Sequence, residues 1–117
     1  MAAARAADAK QGARTLVLDV GAVLSITGWF VITSGANGRQ VKTIAEEVEE
    51  QVAAAGGLRP LRTEGLEGRR WVLMDYGDFV VHVFLDEERD YYELERLWSD
   101  VPRVDWAAAP DGAAVGE

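Results

Sequence analysis

The chain has 117 residues, enough for one domain around one core. It has no cysteine and a single histidine, which excludes a disulfide framework, a thiolate nucleophile, a cysteine-based zinc site and a histidine-rich metal site. The net charge of −8 is uneven: residues 1–42 carry five basic and two acidic side chains, residues 43–117 seven basic and eighteen acidic, a balance that disfavours generic nucleic-acid binding and favours solubility or a basic protein partner.

Residues 1–10 lack the continuous apolar segment of a secretory signal, and no run elsewhere is long enough to span a bilayer. The expectation is a cytoplasmic chain with no membrane association. Residues 2–13 are rich in alanine and predict a short helix whose apolar face is made of methyl groups. Thr15–Val20 reads as a strand buried on both faces. Asp19, near its end, reads as a loop-shaping residue in preference to a catalytic carboxylate.

After the Gly21–Gly28 connection, Trp29–Thr33 predicts a second strand. The Ser34–Arg39 loop then enters a helix, where Asn37 and Gln40 have capping-box spacing. Val41, Ile44, Ala45, Val48 and Val52 form its apolar stripe, and Gly56-Gly57 ends it. Such a loop can hold a phosphate on its backbone N–H groups. There is no G-x-G-x-x-G, however, and Gly38 is followed directly by Arg39 and not by a Lys-Ser/Thr pair, so capping with loop closure accounts for its residues.

Arg59–Thr63 predicts a short strand that Pro60 confines to a sheet edge or a strand start. Gly65 and Gly68 turn the chain into a hairpin, with Trp71–Met74 and Phe79–Leu85 flanking Asp75-Tyr76-Gly77-Asp78. With Tyr76 and Gly77 as the loop, Asp75 faces Asp78, Leu73 faces Val80 and Trp71 faces His82. Those six and Phe84 share one face. The other, with Val72, Met74, Phe79, Val81, Val83 and Leu85, is wholly apolar and must be core. The mixed face reads as a protein-binding surface. A competing reading, in which a second helical layer buries Trp71 and Leu73, starts level with it.

From Asp86 the pattern is helical: Asp86 is placed to cap, and Glu87 and Glu88 suit the N-terminal end of the dipole. Tyr91, Leu94 and Trp98 form an inner stripe that Leu97 widens, leaving Arg89, Tyr92 and Arg96 outward. Pro102 ends the regular structure, and 102–117, including the Ala- and Gly-rich Ala107–Glu117, reads as a disordered tail. The order α-β-β-α-β-β-β-α implies a single α/β domain over residues 1–101, with a mixed five-stranded sheet flanked by helices.

Asp75 and Asp78 invite a paired-carboxylate metal reading, but a glycine turn separates them and no third carboxylate is assignable. His82 has no identifiable nucleophile beside it. Neither a catalytic residue, a metal ligand nor a cofactor is therefore expected.

The run Trp71-Val-Leu-Met-Asp-Tyr-Gly-Asp-Phe-Val-Val-His-Val-Phe84, followed by Tyr91-Tyr-Glu-Leu-Glu-Arg-Leu-Trp98, resembles the ribosomal silencing factor family, also called Iojap. Leu18-Asp19-Val20, Thr27 to Gly35 and Arg39-Gln40-Val41 extend the resemblance over roughly residues 14–98. One departure is Gly28-Trp29, where the family more often has Asp before the following residue. The resemblance implies a fold similar to nucleotidyltransferases without their catalytic carboxylates. It also implies a translational repressor that binds the large-subunit ribosomal protein numbered fourteen and blocks joining of the small subunit when nutrients are short. On that reading Trp71, Leu73, Val80 and His82 supply the desolvated centre of the interface, Asp75 and Asp78 meet basic groups, and Tyr76, Arg89 and Tyr92 form the rim. The alternatives are a nucleotide-binding or nucleotidyltransferase enzyme using the Ser34–Arg39 loop, and a homodimer through the same sheet face.

Overall fold

The computed structural model describes residues 1–106. It contains α1 (Ala2–Ala9), β1 (Ala13–Asp19), β2 (Trp29–Gly35), α2 (Gly38–Gly56), β3 (Arg62–Glu64), β4 (Trp71–Asp75), β5 (Phe79–Leu85), α3 (Asp86–Tyr92) and α4 (Leu94–Leu97). The expected order holds, except that the last helix is split in two. The five strands form one sheet in the order β1-β2-β5-β4-β3. β2 and β5 are parallel and the other neighbours antiparallel, so the sheet is mixed.

α2 forms where the stripe and caps place it. The Asn37 side chain accepts from Gln40 N at 2.9 Å, and Gln40 Oε1 accepts in return from Ala36 N at 2.7 Å, one residue before the cap. Gly57 adopts φ 74° and its N–H closes the helix on Ala53 O, the left-handed exit that glycine permits. The stripe Val41, Ile44, Ala45, Val48 and Val52 is buried against Val31, Val72, Met74, Val81 and Val83 of the sheet. α1 joins this layer through Ala3, Ala4, Ala6 and Ala7, all buried, because methyl side chains let it lie close to α2.

The hairpin register differs from expectation. Asp75 pairs with Val80, Leu73 with His82 and Trp71 with Phe84, and Tyr76 N donates to Phe79 O at 2.9 Å. The two-residue loop is therefore Gly77-Asp78, with Gly77 (φ 87°) at its first central position, where a type II′ turn needs the positive φ. The Asp75 carboxylate supports the turn by accepting from Gly77 N at 2.9 Å. Each cross-strand partner moves by two residues, an even number, so the strand side chains keep their predicted faces. Asp78 lies in the turn and does not face Asp75. Gly65 is also constrained: at φ 90° a side chain there would collide with the carbonyl of Trp71.

The C-terminal region departs most. Asp86 is inside the first turn of α3, and Leu85 holds the cap position without a side-chain bond. Glu93 takes φ 48° and breaks the helix, so the stripe Tyr91, Leu94, Trp98 does not exist as one face. Tyr91 and Leu97 are exposed, and Arg89, expected outward, is 1% exposed. Residues 102–106, assigned above to the tail, run along β1. Arg103 bridges Leu18, Val104 N donates to Val17 O, and Trp106 Nε1 donates to Thr15 O at 3.1 Å. The rest of that segment, 107–117, lies outside the described residues.

Candidate functional site

The second face of the sheet is half covered. Leu18, Val20, Ile32 and Phe84 are buried there under Leu94, Trp98 and Val101, with Phe30 and Trp71 at the margin. Beyond that layer the described residues leave the sheet open. A groove of about 420 Å³ runs over it, with Phe30, Leu73, Val80 and His82 along its strands, Leu24, Ile26 and Thr27 on one wall and Leu61 on the other. Ile26 is 83% exposed and Leu61 76%. Asp75 and Arg62 supply charge at the β3–β4 side. The second layer therefore covers part of this face and leaves Leu73 and Val80 half-buried outside it.

Trp71 sits at the boundary between the closed and open halves. Its ring is 4.7 Å from Phe84 and 5.0 Å from Tyr92, and Nε1 donates to His82 Nδ1 at 3.1 Å. Leu73, Asp75 and Val80 are half-buried, and Asp78 and Tyr92 are exposed. The backbone carbonyl of Asp78 accepts from Gly28 N at 2.7 Å, which ties the hairpin tip to the start of β2 and leaves its carboxylate outward.

Three residues expected at the surface are inside. His82 is 5% exposed, with the Phe30 ring against it at 4.8 Å. Tyr76 is buried in the α2-side core and stacks on Phe79 at 4.7 Å, because it pairs with Phe79 instead of forming the turn. Burial, with the nearby Glu49 charge, pushes its phenol up to about 12. Arg89 is drawn inward by a bulge in β1, where the pairing register shifts between Ala13 and Leu16 and Arg14 takes φ 51°. Its guanidinium donates to Ala13 O (2.8 Å), Arg14 O (2.6 Å), Ser34 Oγ (3.3 Å) and Glu95 Oε2 (3.1 Å). It is a structural clamp and forms no rim.

Burial lowers the His82 imidazole to about 4. Because the Trp71 indole can only donate, Nδ1 is the acceptor and a neutral ring carries its proton on Nε2. An unfolded histidine titrates near 6.5, so between pH 6.5 and 4 the unfolded state binds more protons than the folded one. Stability is therefore lost as pH falls through this window, by about 3 kcal/mol in all. As this is the chain's one histidine, a single imidazole resonance followed by NMR should titrate near 4 in the folded protein. A midpoint near 6.5 would show that the ring is solvated.

The residues suited to an enzyme do not converge. Among the described residues, no group of three or more histidines, aspartates or glutamates is placed to hold a metal. Asp19 accepts from Gly21 N at 3.2 Å, a loop-shaping bond. In the Ser34–Arg39 loop, Ser34 is buried with Oγ donating to Ala13 O, and the N–H groups of Ala36 and of Gln40 just beyond it are taken by local side chains. No helix among the described residues is long and apolar enough to cross a membrane. The groove walls, Leu24, Ile26, Thr27 and Leu61, were missed by sequence reasoning. The first three lie in the connection before β2 and Leu61 in a predicted edge strand, and local pattern marks none of them as a wall.

Residues 1–115 match the family described as "Ribosomal silencing factor during starvation". The Bacillus subtilis ribosomal silencing factor is 43% identical over 103 residues, covering 88% of this chain and 86% of that protein. A crystal structure from Chromobacterium violaceum superposes with a TM-score of 0.80 at 35% identity, covering 97% of this chain and 90% of the other. One from Bacillus halodurans gives 0.74 at 41% identity, covering 88% and 92%.

Proposed function

The chain belongs to the ribosomal silencing factor family, and from that premise we propose that it represses translation in the cytoplasm by docking on the large ribosomal subunit and obstructing the small one. The proposed contact is ribosomal protein fourteen, on the face where the subunits meet. The observation that carries this reading is the half-open sheet face: Leu73 and Val80 left partly uncovered beside exposed Ile26 and Leu61. Apolar area of this kind, rimmed by charge, suits a protein partner. A binder that fills this role acts by occupying space and needs no catalytic group.

Trp71, held by Phe84, Tyr92 and His82, is the anchor, and Leu73 and Val80 lie beside it in the centre. His82 contributes by fixing Trp71. Asp75 and Asp78 face a basic partner, as the acidic charge of residues 43–117 favours.

Sedimentation of purified subunits tests the proposal. Co-migration of the chain with large subunits, with fewer joined particles, is the expected result. Unchanged joining at saturating protein would overturn it. Exposed Asp78 gives a finer test: Asp78→Lys should slow association several-fold at low salt, leave dissociation nearly unchanged and reduce the salt dependence.

A further inference from the structure

Residues 94–101, which carry α4, are tied at both ends and lightly held between. Upstream, Glu93 N donates to Arg89 O at 2.8 Å, and downstream Pro102 O accepts from Asp19 N at 2.9 Å. Between these points the backbone bonds are local: Arg96 N to Glu93 O, Trp98 N to Glu95 O, Ser99 N to Arg96 O and Val101 N to Trp98 O. Among the described residues, no backbone bond joins 94–101 to the sheet. The segment rests there through Leu94, Trp98 and Val101, all partly buried, and through the pair of Arg89 Nε with Glu95 Oε2 at 3.1 Å. Arg89 keeps Ala13 O, Arg14 O and Ser34 Oγ without Glu95, so this pair can part and reform without undoing the clamp at the β1 bulge. Glu93 is held at φ 48°, a left-handed conformation that is costly for a residue other than glycine and persists only while its surroundings enforce it. A cover with local backbone bonds, few apolar contacts and a strained pivot belongs to the low-stability end of a fold.

We propose that residues 94–101 form a strap that lifts off the sheet as a unit about Glu93 while the rest of the domain stays folded. Beneath it lie Leu18, Ile32 and Phe84, buried on the same face of the sheet as Leu73 and Val80. Lifting joins them to the open half, so that one apolar surface crosses β1, β2, β5 and β4. The closed strap is then an autoinhibitory cover that withholds part of the docking face. That consequence rests on the function proposed above, whereas the lifting itself does not.

The chain has no cysteine, so one introduced thiol reports opening at one place. Ile32 and Ile44 are both fully buried, the first beneath the strap and the second in the core on the α2 side. Ile32→Cys and Ile44→Cys are labelled with methyl methanethiosulfonate across low urea concentrations, and each rate is set against the unfolding equilibrium of the same variant. Labelling of Ile44→Cys should track global unfolding and climb with urea. Labelling of Ile32→Cys should level off at a urea-independent rate about tenfold or more above that expected from global unfolding. Labelling of both variants only through global unfolding overturns the proposal. Affinity for large subunits is the second readout. Trp98→Ala loosens the strap and should bind about fivefold tighter although it is less stable, and Glu93→Gly relieves the pivot and should bind about threefold more weakly although it is more stable. Affinity that follows stability, or does not change, overturns the autoinhibitory role. Urea-independent labelling of Ile32→Cys in a chain that ignores ribosomes upholds the strap and sinks the docking function alone.

Discussion

Replacing Arg89 with methionine is expected to lower the unfolding free energy by about 3–5 kcal/mol, read as a fall in the urea midpoint with little change in slope. Arg89 is 1% exposed, and its guanidinium is shared among two carbonyls of the β1 bulge, the Ser34 hydroxyl and the Glu95 carboxylate. Methionine fills similar space but leaves Arg14 O without its donor, Ala13 O with Ser34 Oγ alone, and Glu95 without its counter-charge. Burial disfavours the charged form of Arg89, while Glu95 offsets that cost, so each partner depends on the other. A domain of this size has a net stability of about 5–15 kcal/mol, and the loss is a large part of it. Arg89→Lys should rescue little, because a single ammonium cannot reproduce the planar fork that spans four acceptors. Asp90→Asn is the contrasting control. It breaks the exposed Arg14–Asp90 pair at 3.1 Å and should change stability by less than about 1 kcal/mol.

The same residue shows what the sequence could not disclose. Periodicity placed α2 well, since Val41 to Val52 keep helical spacing and the ends carry recognisable caps. Alternation placed the β4 and β5 side chains on the right faces even though the turn was centred one residue early. What failed was information that local pattern does not hold. The left-handed Glu93 breaks a helix whose residues are good helix formers, and no neighbouring glycine marks the break. The bulge at Arg14 frees the carbonyls of Ala13 and Arg14, which a distant cation satisfies with help from Ser34 Oγ at Ala13, so Arg89 turns inward against the rule that arginine faces water. Residues 102–106 begin with a proline, yet they return to the sheet because Trp106 finds Thr15 O and Arg5 donates to Trp106 O at 2.8 Å. The open groove was illegible for a related reason: it is defined by where the covering layer of Leu94, Trp98 and Val101 stops. The resemblance of Trp71–Phe84 to a family was thus a better guide to family membership than any single predicted contact was to structure.

Truncating Trp71 to alanine is expected to weaken binding to large subunits by about 30-fold or more, corresponding to a hot-spot loss of about 2 kcal/mol. The side chain is half-buried at the margin of the covered layer, where Phe84 and Tyr92 hold one part of the ring and His82 accepts its N–H. A ring fixed in this way has little conformational freedom left to lose on docking, which is what makes an aromatic anchor effective. Alanine removes both the anchor and part of the apolar packing around Phe84, so stability must be measured beside affinity and the binding assay run where both proteins are folded. Trp71→Phe separates the contributions. It retains a ring against Phe84 and Tyr92 but cannot donate to His82, and its affinity should fall between the other two. Folded Trp71→Ala protein with undiminished affinity for large subunits would place the interface on another face, because among the described residues no other aromatic side chain stands at the junction of the closed and open halves and also touches His82, Phe84 and Tyr92.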